Sequence, residues 1–173
     1  MDIKTIKIVL KPDEDQKNSI ERAIKYSRYV YNFLLKVRFE NWKNNHKNFS
    51  FDEEKEILKK LKRKNGWLKN VDNATLEQAI RELDSDYYRF FKLNGQYPKY
   101  RKKDDKVQCY KTKNVNNNIK IYCKQNMITL PKLDVMKIET QEKIHGKVTH
   151  VKVTHVKVNK SDGKYEALVT VRR

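Results

Sequence analysis

The chain has 173 residues, which is enough for one domain or two small ones, each with its own hydrophobic core. Its 40 Lys and Arg residues against 22 Asp and Glu give a formal net charge of +18 at pH 7, which predicts a polyanionic partner. No apolar run approaches the roughly 18 residues of a membrane span, and no signal peptide begins at Met1. Cys109 and Cys123 are the only cysteines and form no C-x-x-C motif. We therefore expect a cytoplasmic protein with reduced thiols, no membrane partner and no metal site.

The first part of the chain begins with a strand pattern and continues with a long helical pattern. Ile6, Ile8 and Leu10 alternate with other residues, as in a strand, and Pro12 ends the run. From about Glu14 to about Asn44 apolar residues recur every three or four positions, which predicts one helix. Tyr26, Tyr29 and Tyr31 form an aromatic wall on this helix, which we interpret as core packing with the hydroxyls at the rim.

Two shorter helices are expected next. Ser50 and Glu53 form an S-x-x-E capping box, and Asn65-Gly66 ends the helix that follows it. Asp72 is the candidate N-cap of a third helix, whose apolar stripe extends to Phe91. The Lys and Arg residues at the end of the second helix are interpreted as a solvated surface. Residues 13–93 therefore predict a bundle of three helices.

The stretch from Gln96 to Lys103 joins this helical part to a part rich in strand patterns. It combines a Pro, two Tyr and four Lys or Arg residues with no acidic residue. Pro98 disfavours a helix and lacks a backbone N–H for a strand ladder, so the stretch is expected to be extended. Its cations suit a nucleic-acid backbone and its rings suit the bases, whereas a solvated basic loop is the alternative interpretation.

The rest of the chain predicts five short strands separated by turn signals. The expected strands cover residues 119–122, 127–130, 135–138, 147–158 and 165–171. Pairing of the first strand with these late strands would make the helices an insertion. The predicted fold is therefore α+β: a small antiparallel β-barrel of the wedge or OB-like type, interrupted by the inserted three-helix bundle. The expected segments are 1–12 for the first strand, 13–95 for the helices and 96–173 for the rest of the barrel.

A perfect five-residue repeat lies within the longest of these strands. Residues 148–152 and residues 153–157 both have the sequence VTHVK. Because a strand has a period of two, an odd-length duplication reverses the facing of the side chains beyond it. We expect a bulge or loop to absorb one residue.

The excess of positive charge predicts where nucleic acid binds. Residues 1–95 hold 21 basic and 15 acidic side chains, whereas residues 96–173 hold 19 and 7. We therefore expect one continuous binding surface from Lys99 to Asn118, with a preference for folded RNA over random duplex. Its residues combine cations, aromatic rings and turn-forming amides: Tyr97, Lys99, Tyr100, Arg101, Lys102, Lys103, Tyr110, Lys111, Thr112, Asn116, Asn117 and Asn118.

Several short segments, in this order and spacing, resemble the N-terminal half of the TnpB (OrfB) family. These proteins are transposon-encoded RNA-guided nucleases related to compact type V CRISPR effectors. The supporting segments are residues 27–34 (SRYVYNFL), Trp67-Leu68 before Val71-Asp72, Phe90-Phe91, residues 97–100 (YPKY), 110–112 (YKT), 117–121 (NNIKI) and 130–133 (LPKL). Together they cover nearly all of the chain.

The resemblance implies a wedge barrel that is interrupted by a helical recognition lobe and that binds a structured guide RNA and double-stranded target DNA. It also implies Mg²⁺ and Zn²⁺ only in a RuvC-like nuclease domain and a zinc-binding module, neither of which is found in these residues. Two-metal cleavage needs clustered carboxylates, so we expect no catalytic residue, no cofactor and no nuclease activity in the chain alone.

The resemblance also places the reading of a target-adjacent duplex motif at four positions. The corresponding residues are Phe51, Asn73, Glu77 and Val115, which do not match the polar set of well-studied family members. Glu77 can accept a hydrogen bond from a cytosine amine but repels phosphate. The identity of the motif is therefore left open.

Three functions remain possible at this point. The chain is the nucleic-acid-binding portion of a TnpB-like endonuclease, one piece of a longer or split RuvC-type enzyme, or a nuclease-dead DNA-binding regulator or decayed fragment derived from such a protein. The family is also described as a transposase of insertion sequences, with a helix-turn-helix that residues 50–91 resemble. All three predict a prokaryotic protein that associates with the nucleoid when bound to DNA.

Overall fold

The structure is a computed structural model that describes residues 2–158 and 161–173. In these residues it contains helices and antiparallel strands, which confirms the α+β class. The elements in chain order are β1 (Ile3–Lys11), α1 (Glu14–Asn45), α2 (Phe51–Lys64), a 3₁₀ helix (Gly66–Asn70), α3 (Asn73–Lys92), β2 (Val107–Lys113), β3 (Lys120–Tyr122), β4 (Met127–Thr129), β5 (Met136–Glu139), β6 (Lys147–Val158) and β7 (Ser161–Arg172). None of the helices in this part of the chain is long and apolar enough to cross a membrane.

The chain divides into two compact units, which we call the sheet unit and the helical unit. The sheet unit comprises Met1–Ile24 and Asp105–Arg173, and the helical unit comprises Lys25–Asp104. These bounds differ from the segments expected from the sequence, because the first part of α1 belongs to the sheet unit. Gln16 connects the start of α1 to the sheet unit: its buried side-chain amide Nε2 donates to the carbonyl oxygens of Asp134 and Val135, at 3.2 and 3.0 Å.

The sheet unit contains a seven-stranded antiparallel sheet with the order β2-β6-β7-β1-β5-β4-β3. Strand β1 pairs with β7 from Ile3↔Arg172 to Leu10↔Tyr165 and with β5 at its C-terminal end. The expected pairing of the first strand with the late strands is therefore confirmed. The sheet is open, because β2 and β3 lie at its two ends in the described residues, so the strands do not form the closed barrel that we expected.

Alternation along the strands produces the core of the sheet unit. Ile6, Ile8 and Leu10 are almost fully buried, as their spacing predicts, and they lie on one face of β1. The paired strand β7 buries every second residue in the same way, at Tyr165, Ala167, Val169 and Val171. One face of the central strands is thus apolar.

The five-residue repeat lies within β6, and the expected bulge is present. The register with β7 shifts between Val148, which pairs with Val171, and His150, which pairs with Thr170. Thr149 is the extra residue, so Val148 and Val153 are both buried although they are five positions apart. His150 is exposed whereas His155 is buried, so the two copies of the histidine have different surroundings.

The helical unit is built on sequence signals that the structure confirms. The Ser50 side chain accepts from the Glu53 backbone N–H and the Glu53 side chain accepts from that of Ser50, so the capping box forms. Asp72 caps α3 by accepting from Thr75. The core combines α1, α2, α3 and the 3₁₀ helix through buried residues that include Val30, Leu34, Leu58, Leu61, Leu68, Leu76, Ile80 and Leu83.

Candidate nucleic-acid interface

The predicted surface residues fall in both units. Tyr97 to Lys103 belong to the helical unit, whereas Tyr110 to Asn118 belong to the sheet unit. The segment around Pro98 has neither helix nor strand structure, as expected.

The segment of residues 97–101 is held firmly against the helices of its unit. Pro98 is buried, and the Tyr97 ring makes edge contacts with Tyr87 and Phe90 at 5.6 and 5.1 Å. The hydroxyl groups of Tyr97 and Tyr87 are 3.0 Å apart. Asn32 of α1 donates from Nδ2 to the carbonyl of Arg101 at 2.9 Å and accepts from its N–H at 2.8 Å. The backbone is therefore fixed at both ends of the segment.

Arg101 makes an ion pair and a ring contact within the helical unit, and its contact with phosphate stays a prediction. Its guanidinium lies 2.5 Å from the carboxylate of Glu82 and 3.8 Å from the centre of the Tyr31 ring. The side chains of Arg101 and Glu82 are only 29% and 10% exposed. Binding a phosphate would require this guanidinium to move away from Glu82, which would leave the part-buried Glu82 carboxylate without a counterion. Arg101 is therefore a weaker candidate for a phosphate contact than an exposed lysine.

The other cations of the segment are at the surface. Lys99, Lys102 and Lys103 are exposed, and Tyr100 is 55% exposed. The segment therefore carries three exposed lysines and one exposed tyrosine.

In the sheet unit, two of the predicted contact residues are inside the protein. Tyr110 and Thr112 lie in β2 and are 2% and 0% exposed, because β2 alternates and turns these positions toward the core. Lys111 between them is part-exposed. This corrects the prediction for Tyr110 and Thr112, whose side chains are not on a surface. Strand β2 (Val107–Lys113) was not among the strands expected from the sequence.

The run of asparagines has a clear conformational cause. Asn116 and Asn117 have φ angles of 51° and 62°, which Asn tolerates better than most residues. The Asn118 side chain accepts from the Val115 N–H at 2.9 Å. All three side chains remain exposed. The amide that ties this turn to the sheet is the preceding Asn114, which donates to the carbonyl of Val148 at 2.7 Å and accepts from Ile119.

Three of the four motif-reading candidates lie in the helical unit and two of them are bonded to each other. Asn73 donates to Glu77 at 2.8 Å and accepts from Lys62 at 2.9 Å. Phe51 lies under the Arg81 guanidinium, 3.9 Å from the ring centre. Val115 belongs to the sheet unit and is 43% exposed.

The helical unit also contains a cleft of about 400 Å³ that the sequence analysis did not predict. Its aromatic lining consists of Tyr26, Tyr29, Phe33, Trp67 and Tyr100. Its polar lining consists of Lys25, Arg28, Lys36 and Asn32. Tyr26 and Tyr29 were interpreted as core residues. A sequence signal for the cleft is that each of these tyrosines directly follows a cation, Lys25 or Arg28.

A buried ionic cluster lies in the interior of the same unit. The Arg38 guanidinium contacts the carboxylates of Glu54 and Asp84 and lies 4.8 Å from the centre of the Tyr87 ring. Glu54 is fully buried, and burial raises its pKa to about 7 although the Arg38 contact lowers it. Tyr31 donates to Asp86 at 2.6 Å, and burial together with that carboxylate raises the pKa of Tyr31. These contacts join α1 to α2 and to α3.

Fold and surface together define a small basic α+β protein in which a helical unit with exposed rings and cations interrupts an antiparallel sheet. Residues 1–47 match the family model of the OrfB helix-turn-helix domain of IS605 elements. In the structure this region is β1 and α1, so the match does not fall on residues 50–91, where the sequence analysis expected it.

Two relatives are named as RNA-guided DNA endonucleases. The InsQ protein of Escherichia coli strain K12 is 23% identical over 148 residues, which cover 84% of this chain and 36% of InsQ. A protein of Streptomyces pristinaespiralis is 27% identical over 92 residues, which cover 52% of this chain and 23% of that protein. The chain thus spans about a third or less of the length of these relatives. These matches confirm the resemblance to the TnpB (OrfB) family.

Proposed function

We propose that this chain is the nucleic-acid-binding portion of a TnpB-like RNA-guided DNA endonuclease and that it binds structured guide RNA and double-stranded target DNA. The observation that carries the proposal is the segment of residues 97–103. Asn32 holds its backbone at Arg101, and Lys99, Lys102 and Lys103 are exposed near Tyr100 in sequence. The names of the two relatives support the same class of ligand.

Rigidity of the segment is an advantage for binding. Each lysine that meets a phosphate releases condensed counterions from the nucleic acid, which favours association most strongly at low salt. Because Asn32 already holds the Arg101 backbone and Tyr87 holds the Tyr97 side chain, little additional conformational entropy is lost when nucleic acid binds.

The sheet unit contributes a second set of contacts in this proposal. Lys111 and the exposed amides of Asn116, Asn117 and Asn118 are accessible groups that suit phosphate and sugar. Motif reading is assigned to Phe51, Asn73, Glu77 and Val115 as a proposal. Within that set, the bonded pair Asn73–Glu77 presents a carboxylate that suits a cytosine amine, while Phe51 holds Arg81 in place.

The test is a salt titration of binding. Fluorescence anisotropy is measured for the full chain and a variant with Lys99, Lys102 and Lys103 replaced by Ala, against a labelled RNA hairpin and a random DNA duplex. The parental chain is expected to prefer the hairpin. The variant should bind weakly, and its log–log salt slope should be smaller by roughly two to three units, since each phosphate contact contributes slightly under one unit.

A variant with Lys59, Lys60 and Lys64 of α2 replaced by Ala is the matched control, because it loses the same charge from another exposed surface. If the control variant loses more affinity than the segment variant, or the segment variant keeps the parental slope, the proposed surface is wrong. Circular dichroism confirms that both variants are folded.

The second candidate is a nuclease-dead DNA-binding regulator or a decayed fragment, which the match to a helix-turn-helix family model favours. Tighter binding to the duplex than to the hairpin in the same titration would support it.

We expect no cleavage by this chain alone, since the sequence offers no carboxylate trio for two metal ions. Incubation with Mg²⁺, guide RNA and matching DNA tests this. Guide-dependent cleavage that survives repurification would contradict it.

A further inference from the structure

We propose that the aromatic cleft of the helical unit binds one unpaired nucleotide, with its base among the rings and its phosphates near the surrounding cations. This inference rests on the proposed function and specifies a base contact within it. The cleft lies entirely within residues 25–104 and is therefore a feature of one compact unit.

Helix α1 has two different stripes of side chains within this unit. Ser27, Val30, Tyr31 and Leu34 follow the helical period and are buried in the core. Tyr26, Tyr29 and Phe33 follow the same period on another face and line the cleft. The second stripe is not required for the core, because the first one already provides the packing surface.

Trp67 has an exposure that packing does not explain. The 3₁₀ helix is anchored by its neighbour Leu68, which is 0% exposed, whereas Trp67 is 39% exposed. Edge contacts with Tyr26 and Tyr29, at 4.7 and 5.0 Å, fix the indole ring in the cleft. A ring that is held still but remains open to solvent can stack on a base at small entropic cost.

Tyr100 completes the lining of the cleft from another part of the chain. Tyr100 is 55% exposed, and its backbone lies between Pro98 and the Arg101 peptide that Asn32 holds. Tyr100 is thus positioned by hydrogen bonds that do not involve its own ring. The cleft is formed before any ligand arrives.

Charge and size select the occupant. Lys25, Arg28 and Lys36 line the cleft and no acidic residue does, which disfavours a cationic side chain among these rings and favours an anionic ligand. The volume of about 400 Å³ falls in the range of about 300–1,000 Å³ that is common for small-molecule sites. An unpaired nucleotide combines an aromatic base with a negative phosphate, and stacking accepts any base.

The experiment uses the intrinsic fluorescence of Trp67. The chain has two tryptophans, and Trp42→Phe leaves Trp67 as the single reporter without changing the cleft. This full-length variant is titrated with a short oligo(dT) single strand and with an abasic strand of the same length and charge. We expect saturable quenching by oligo(dT), little quenching by the abasic strand, and at least fivefold weaker binding of the abasic strand.

Tyr100→Ala and Tyr100→Phe in the same background complete the test. Tyr100→Ala should weaken oligo(dT) binding at least fivefold and leave abasic binding unchanged, and Tyr100→Phe should restore it because the ring is retained. Thermal melting establishes that each variant is folded.

The outcomes separate the two proposals. Salt-dependent binding of both strands with equal affinity and no quenching would overturn the cleft proposal and leave the proposed function standing. Absence of binding to either strand, to the hairpin and to the duplex would overturn both. Quenching by a nucleotide-free peptide and not by oligo(dT) would assign the cleft to a protein partner and overturn the proposal.

Discussion

The sheet unit and the helical unit carry the same charge but use it differently. Each unit contains 20 Lys or Arg and 11 Asp or Glu residues, a formal net charge of +9. The helical unit places Arg38 and Arg101 against carboxylates and rings in its interior. The sheet unit has ion pairs at its surface, such as Lys4–Glu142 and Lys11–Glu139. Net charge therefore does not identify the unit that binds nucleic acid.

This equality corrects an expectation from the sequence. A division at Gly95 assigned most of the excess charge to the second part of the chain. The structural bounds move the acidic start of α1 into the sheet unit and residues 96–104 into the helical unit, and the difference disappears. The accessible cations, rather than their total number, determine where a polyanion binds.

Aromatic side chains show the same contrast. The sheet unit buries Tyr110 and Tyr165 and leaves Tyr122 41% exposed, whereas the helical unit groups the exposed Trp67 and Tyr100 in one cleft that cations also line. Base stacking needs exposed rings, and backbone contacts need only exposed cations and amides. We infer that contacts to bases belong to the helical unit and that the sheet unit supplies backbone contacts.

The largest expected effect tests the internal use of charge in the helical unit. Arg38→Ala leaves the buried Glu54 and the nearby Asp84 without their counterion, so we expect a loss of about 3–5 kcal/mol in the free energy of unfolding. Lys137→Ala in the sheet unit removes the same charge from an exposed position and should change stability by less than about 0.5 kcal/mol. Urea unfolding followed by circular dichroism measures both. Equal effects would remove the contrast between the units.

The next prediction concerns pH and depends on Glu54. Its pKa is raised from 4.5 to about 7, so between these values the folded protein holds a proton that the unfolded chain releases. Raising the pH through this window therefore lowers the stability of the parental chain relative to Glu54→Gln, which does not titrate. We expect the difference in unfolding free energy to change by on the order of 2 kcal/mol between pH 5 and pH 8.

Unfolding at several pH values measures this difference. A difference that stays constant, or that changes in the opposite direction, would show that Glu54 is ionised throughout. Lys137→Ala again provides a background that should follow the parental pH dependence.

A smaller effect tests how the sheet unit uses polar side chains. Asn114→Ala removes the bond to the Val148 carbonyl and leaves the Ile119 N–H without its acceptor. We expect a loss of about 1–3 kcal/mol, whereas Asn118→Ala, which removes the bond from the Val115 N–H to an exposed side chain, should cost less than about 1 kcal/mol. Equal losses would mean that Asn114 does not anchor the turn. Chemical unfolding of both variants is the measurement.

These features show which parts of the fold the sequence predicts. Local signals were reliable: the capping box at Ser50, the cap at Asp72 and the bulge at Thr149 each follow from a few neighbouring residues. Pairing of the first strand with the late strands was also predicted, because alternation marks both ends of the chain, and β1 pairs with β5 and β7. The bounds of α1 were predicted to within one residue.

What the sequence did not predict depends on contacts between distant residues. The contacts of Arg101 with Glu82 and with the Tyr31 ring were not predicted, because both partners are distant from Arg101 in the sequence. Tyr110 is a candidate for stacking until its place in β2 turns it inward. The cleft could not be predicted either, because it combines α1, Trp67 and Tyr100, which are far apart in sequence. Phe91 was assigned to the core stripe of α3 but is 59% exposed.

The smallest expected effect on stability concerns the asparagine turn, and the same variants test whether this turn contacts nucleic acid. Asn117 has a φ of 62°, a conformation that Gly adopts freely, so Asn117→Gly should change the free energy of unfolding by less than about 0.5 kcal/mol. Asn117→Ala should cost about 1 kcal/mol or more, because Ala is strained in this region. Binding of the RNA hairpin separates conformation from contact. If the exposed Asn117 amide contacts the backbone of the RNA, Asn117→Gly should weaken hairpin binding about two- to fivefold, as expected for the loss of one hydrogen bond. Unchanged affinity in a stable Gly variant would assign the asparagine to the shape of the turn and restrict backbone contacts of the sheet unit to its lysines.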